Sequence, residues 1–189
     1  MRKTSINSFF EKMDPEFESG HITLDKQGYK VDGHTGIKKH FNFDGQKSVD
    51  YFHCCSNRGF MLIEFSDLMR QDEQLKFRIK SIKKSNLENS EKRKQIKSLL
   101  KTIHQELNLK YKDSLTILSS AIDEFCDVPE EFSSLPRFVV VIAPDLSDCK
   151  SKQIEIVRFI DELQNKIRPL IPHTICRQVN VICLNSFAS

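Results

Sequence analysis

The stretch KSVDYFHCCSNRGFMLIEFS, Lys47–Ser66, decides the fold. Two apolar runs, Lys47–Cys55 and Phe60–Ser66, flank Ser56-Asn57-Arg58-Gly59, a sequence suited to a hairpin turn. Both runs are apolar at odd and even positions, which predicts a central hairpin in a sheet covered on both sides. Each run also carries an acid, Asp50 and Glu64. A three-residue turn, Ser56–Arg58, with Gly59 in a left-handed bulge puts Asp50 opposite Glu64 on one face. A four-residue turn pairs Asp50 with Phe65 and sends Glu64 to the other face. Gly59 favours the three-residue form.

Working outward, Ser5–Phe17 reads as a short amphipathic helix with Ile6, Phe9, Phe10 and Met13 on one side, ended by Pro15. Gly20–Gly45 reads as short strands and turns, with Ile22, Leu24, Tyr29 and Val31 alternating. After the hairpin the period changes. Asp67 is placed to cap a helix over Leu68–Lys84, with a break at Ser85-Asn86. A longer helix starts near Ser90 and carries its apolar stripe through Ile96, Leu99, Leu100, Ile103, Leu107, Tyr111, Leu115, Leu118 and Ile122 to Phe125, with Asn108 a candidate kink. Phe138–Ala143 reads as a buried strand. Ser147 or Asp148 caps a helix presenting Ile156, Val157, Ile160, Leu163 and Ile167 inward, and Val179–Leu184 is a last strand, which together predict a parallel crossover. The fold class is α/β: a mixed central sheet flanked by helices, with one long basic amphipathic helix. Residues 1–189 form one domain, with 68–127 a helical segment between the central hairpin and the C-terminal strand-helix-strand.

Fourteen Phe and no Trp point to a Phe-dominated core, and the net charge is only +3. That balance conceals a basic segment, since Lys76–Lys112 holds twelve Lys or Arg against three Glu. Such a segment suits phosphate or an acidic partner, or forms a solvated helix face. The six cysteines include no CxxC pair. Cys54 and Cys55 are adjacent on a strand and point to opposite faces, so reduced, mostly buried thiols in a cytoplasmic protein are expected. The N-terminus has no apolar run suited to a signal peptide, and no membrane span is expected.

Two carboxylates on one strand pair suit a hard divalent cation, Mg2+ or Mn2+. Asp50, a turn, then Leu62-Ile63-Glu64-Phe65-Ser66 resembles the core of the PD-(D/E)XK nuclease superfamily. The pattern places an acid on one strand and an acid-x-lysine triplet on the next, within a helix-strand-strand-strand-helix-strand core, and covers roughly Phe41–Ala143. The later LKYKDSLTIL, Leu109–Leu118, is similar to the helix that follows. The resemblance implies Asp50 and Glu64 as metal ligands, with a further acid from Glu11, Glu16 or Glu18. The chain departs from the pattern at the lysine position, which is Ser66 and carries no charge to offset a reacting phosphate. Arg70 is taken as the replacement catalytic cation, with Lys76, Lys110 and Lys112 as further candidates.

The resemblance implies a noncatalytic nuclease-fold subunit that binds a partner protein or DNA, by analogy in a bacterial anti-phage or anti-plasmid complex, with no cofactor. One alternative is an active Mg2+- or Mn2+-dependent nuclease, a phosphodiesterase using Asp50, Glu64 and Arg70. Another is a scaffold built on helix–helix contacts. Lys92, Arg93, Lys94, Lys97 and Lys101 are candidates for nonspecific, salt-sensitive nucleic-acid binding. His34, His40 and His104 are read as surface or packing-edge residues. His53 with Cys55 lacks a third orienting group for nucleophilic catalysis.

Overall fold

A computed structural model describes residues 3–17, 20–21, 24–143 and 150–188. The chain enters through a 3-10 turn at Ile6–Phe9, where the Ser5 hydroxyl accepts from the Asn7 amide. Strand β1 (Phe10–Lys12) follows, then a two-residue pair, β2 (Glu16–Phe17) and β3 (Gly20–His21), and then β4 (Gln27–Lys30). The helix expected over Ser5–Phe17 is replaced by this turn and these strands. A helix would keep Ile6 and Met13 on one face, two turns apart. Instead both are fully buried in different cores, Ile6 on one side of the sheet and Met13 on the other. Pairing of β1 with β4 satisfies the backbone that a short isolated helix would satisfy only marginally.

A single helical turn, α1 (Ile37–His40), precedes the hairpin of β5 (Tyr51–Cys55) and β6 (Gly59–Ser66). The register runs from Cys55 opposite Gly59 to Tyr51 opposite Ile63, so the loop is the three residues Ser56–Arg58. Gly59 has φ +72°, the left-handed conformation that the three-residue turn requires. Strand β5 begins at Tyr51 rather than Lys47. The helix behind it holds the preceding residues: the Lys47 amide donates to Asp113 Oδ2 and the Val49 amide to Ser114 Oγ, each at 2.9 Å.

Helix α2 (Leu68–Lys84) begins behind Asp67, whose side chain makes no capping hydrogen bond. Helix α3 (Asn89–Glu124) runs 36 residues, unbroken through Asn108, or roughly 54 Å at 1.5 Å per residue. Then come β7 (Arg137–Ile142), α4 (Lys150–Ile167), β8 (Gln178–Cys183) and α5 (Leu184–Ala188). Ser147, Asp148, Cys149, Ile22 and Glu18 lie outside the described residues.

Among the described residues the main sheet has six strands in the order β1-β4-β5-β6-β7-β8. Neighbours from β1 to β6 are antiparallel, and β6-β7-β8 are parallel through α3 and α4, as expected of a mixed sheet with a crossover. Period-two alternation divides β5, β6 and β7 between two cores. Phe52, Phe60, Leu62, Phe138 and Val140 pack against α3 and α4. Tyr51, Met61, Ile63, Phe65, Val139 and Val141 pack against Met13, Phe17, Leu24 and α5. Cys54 packs on the first core and Cys55 on the second, so the adjacent thiols do face opposite ways. The expectation of mostly buried thiols needs correction: of the five described cysteines, all free, only Cys176 is fully buried. On α4, Ile156, Leu163 and Ile167 are buried, but Val157 is 58% exposed. It lies about 100° round the helix from Ile156, off the stripe that meets the sheet. No helix of the described residues is long and apolar enough to cross a membrane.

Candidate functional site

Among the described residues Glu64 is the one fully buried acid, and it lies in the centre of the sheet. It follows Phe60 and Leu62 on the α3 side of β6 and is 1% exposed. Its burial is tolerated because α3 crosses this face and delivers a cation: Lys110 Nζ donates to Glu64 Oε1 at 2.6 Å. The other oxygen, Oε2, is buried without a hydrogen-bond partner. Loss of water pushes the Glu64 carboxyl well above its ordinary value. The charge of Asp50 adds to that rise, and Lys110 opposes it. Burial pulls on Lys110 in the opposite sense, but the charges of Glu64 and Asp50 outweigh it and raise the ammonium pKa.

Asp50 sits one residue before β5, beyond the last register pair, Tyr51 opposite Ile63, and its amide returns to that same Ile63 carbonyl, so no ladder pair aligns it with Glu64. The backbone fixes it from three directions. Its amide donates to the Ile63 carbonyl at 3.0 Å, its carbonyl accepts from the Val31 amide at 2.8 Å, and its Oδ2 accepts from the Phe65 amide at 2.6 Å. Both carboxylates act on Lys110, and Asp50 acts on Glu64, yet they line different spaces. Asp50 lines a cleft of about 230 Å³ with Asp14, Lys30, Asp32, Tyr51 and Phe65. Glu64 lines a cavity of about 40 Å³ with Ser66, Gln71, Glu106 and Lys110, room for a water and not for a phosphate.

Asp32, which sequence reasoning missed, also acts on Glu64. It is half-buried and paired with Lys38; burial works to raise its carboxyl, but Lys38 and the Gly33 amide bring it below the ordinary value. The turn that carries it needs Gly36, where a Cβ would collide with the Val31 and Asp32 carbonyl oxygens. Tyr51 closes the far side of the cleft. Burial, with the nearby Glu11 carboxylate, pushes its hydroxyl up to about 12, so it stays protonated and donates to Glu11 Oε1 at 3.2 Å.

The other expected residues fall elsewhere. Arg70 is exposed on the first turn of α2, and Lys112 is exposed on α3. Lys76 pairs with Asp72 on the surface of α2. Glu11 pairs with Lys30 at 3.0 Å. Arg93, Lys94, Lys97 and Lys101 are exposed along the first half of α3, while Lys92 is half-buried and reaches the Lys83 carbonyl. Lys92 lies 18 residues before Lys110, roughly 27 Å along the helix axis, so the basic stretch and the acidic site are separate places. His53 Nδ1 meets the Gln27 carbonyl at 2.7 Å, and His40 packs among Phe9, Phe41 and Phe125. Among the described residues no group of three or more His, Cys, Asp or Glu side chains is placed to hold a metal ion. Compared with known proteins, the chain matches no family model, no curated protein and no solved structure.

Proposed function

We propose that this chain is a noncatalytic subunit with a PD-(D/E)XK-like fold, which binds a partner protein or DNA in a larger assembly. The observation that carries this reading is the Lys110–Glu64 contact at 2.6 Å, with Glu64 buried and Lys110 in partial contact with water. In an enzyme of this type, Mg2+ or Mn2+ would supply the positive charge between the two acids and the phosphate. Here the residues do not fit an open cation site. The Lys110 ammonium occupies one oxygen of Glu64, Asp50 faces a different cleft, and the motif-lysine position is Ser66. The chain thus supplies its own counter-charge, which keeps the architecture without the chemistry. The order of β4, β5 and β6, then α3, then parallel β7 accords with the strand-strand-strand-helix-strand part of the core that the resemblance implies. A cytoplasmic defence complex suits this reading by analogy.

One observation favours the second reading, an active metal-dependent nuclease. Glu64 Oε2 is a buried carboxylate oxygen without a partner, beside a lysine. Incubation of purified protein with plasmid DNA, single-stranded DNA and RNA in Mg2+ or Mn2+ separates the two. The noncatalytic reading expects intact substrates with wild type and Glu64→Gln alike. Cleavage that disappears in a folded Glu64→Gln or Asp50→Asn variant overturns it in favour of the nuclease.

A further inference from the structure

Between Leu68 and Ile103, both buried, the chain contains no buried residue. The end of α2 and the start of α3 thus form a two-helix arm without a core of its own. Helices of this kind gain most of their stability by burying an apolar face against another layer. The arm leaves such a face open. Phe77 is 73% exposed, and a groove of about 490 Å³ runs between the helices over Phe77, Ser81, Ile82, Ser98 and Leu99; Leu100, part of the expected stripe but 51% exposed, lies outside this groove, on the side facing α4. Over Lys76–Lys101 the arm carries ten Lys or Arg and two Glu.

We propose that this groove docks an amphipathic helix of a partner protein, apolar on one face and flanked by Asp and Glu. The groove selects the apolar face: phosphate and sugar would leave Phe77, Ile82 and Leu99 uncovered, whereas a helix ridge covers them. Ser81 and Ser98 are small, so a third helix can approach the floor closely. The charge selects the flanks, since the basic rim attracts carboxylates and repels a second copy of the same arm. This deepens the binding-subunit reading and rests on it for the partner's class, but its test does not depend on cleavage.

The test measures fluorescence anisotropy of a labelled peptide of about 18 residues, five helical turns. The peptide carries Leu at positions spaced three and four apart, with Glu on both flanks. A second peptide keeps the Leu pattern and replaces every Glu with Lys. The acidic peptide is expected to bind and the basic one not. Phe77→Ser, at a position too exposed to disturb folding, is expected to weaken binding roughly tenfold or more. Equal binding of both peptides, no binding of the acidic peptide, or no effect of Phe77→Ser overturns the proposal. So does displacement of the acidic peptide by a short DNA duplex that still binds Phe77→Ser, which assigns the arm to nucleic acid. Concentration-dependent dimerisation in sedimentation that Phe77→Ser abolishes assigns it to a second copy.

Discussion

Lys110 and Glu64 lie 46 residues apart and meet at 2.6 Å, one from the long helix and one from the central strand that it crosses. Each explains the other. A carboxylate 1% exposed in the middle of a sheet needs a counter-charge, and a lysine on the apolar side of a helix needs an acid. The pair also pins α3 to β6 at the level of Asp50, the level at which the hairpin ends.

Breaking the pair from one side is expected to be costly. Lys110→Met removes the ammonium and leaves the Glu64 carboxyl buried among apolar side chains. The expected loss is about 3 kcal/mol, the lower end of the range for a broken buried pair, because Lys110 keeps partial contact with water. The double variant Glu64→Leu/Lys110→Met is expected to recover most of it, since neither charge then remains to be buried. Urea denaturation curves of the three proteins check both statements. A Lys110→Met variant as stable as wild type would show that the contact contributes nothing.

The same pair sets a pH dependence. Glu64 has its folded pKa raised above the ordinary value of 4.5. Below 4.5 it is protonated in both the folded and unfolded chain and contributes no slope. Above 4.5 the unfolded chain releases the proton first, the folded chain holds more protons, and stability falls as pH rises until Glu64 ionises in place. Lys110, with its folded pKa raised, contributes stability that is lost only above the ordinary lysine value of 10.5, outside this window. Wild type is therefore expected to lose stability relative to Glu64→Gln upward from pH 4.5, by up to about 1.4 kcal/mol per pH unit. Denaturation midpoints of both proteins between pH 4 and 8 measure it. A constant difference would mean that Glu64 titrates as an ordinary carboxylate.

What could be read from the sequence divides by range. The hairpin was legible because its signals are local: Gly59 fixes the turn, the turn fixes parity, and parity fixes the register of Tyr51 on Ile63. The period of α3 was legible for the same reason. Ser5–Phe17 was not, because the competing structure is an edge strand paired with residues 27–29, a partner that no helical period reveals. Lys110 was one of four candidate cations, and only the crossing of α3 over β6 distinguishes it from Arg70. Ser114 left a trace that went unread. It stands seven residues after Leu107 and three after Tyr111, a hydroxyl on the buried side of the stripe, 0% exposed.

That serine and its neighbour act on the start of β5. The Val49 amide has Ser114 Oγ as its acceptor, and the Lys47 amide has Asp113 Oδ2. Ser114→Ala leaves a buried amide without a partner and is expected to cost about 1–3 kcal/mol. Asp113→Ala acts at an exposed contact and is expected to cost less. Hydrogen exchange gives the specific readout: the amides of Val49 and Asp50 should exchange faster in Ser114→Ala while those of Phe138–Val141 stay protected. Unchanged protection at Val49 would remove the helix from the positioning of Asp50.

If Lys110 stands where a cation would otherwise sit, removing it should create a cation site. Wild type is expected to show no rise in melting temperature on addition of Mg2+ or Mn2+, because the ammonium already holds Glu64 Oε1. In Lys110→Ala the Glu64 carboxylate loses that counter-charge beside Glu106, which lines the same cavity, and a divalent ion that binds only the folded chain then stabilises it. At tenfold excess over its dissociation constant the gain is about 1.4 kcal/mol, visible as a metal-dependent shift in thermal denaturation. Glu64→Gln added to Lys110→Ala should abolish the shift, which separates this site from ions held elsewhere on the surface. A wild-type protein stabilised by Mn2+ as strongly as Lys110→Ala would mean that lysine and metal occupy the site together, and the noncatalytic reading would give way to the nuclease.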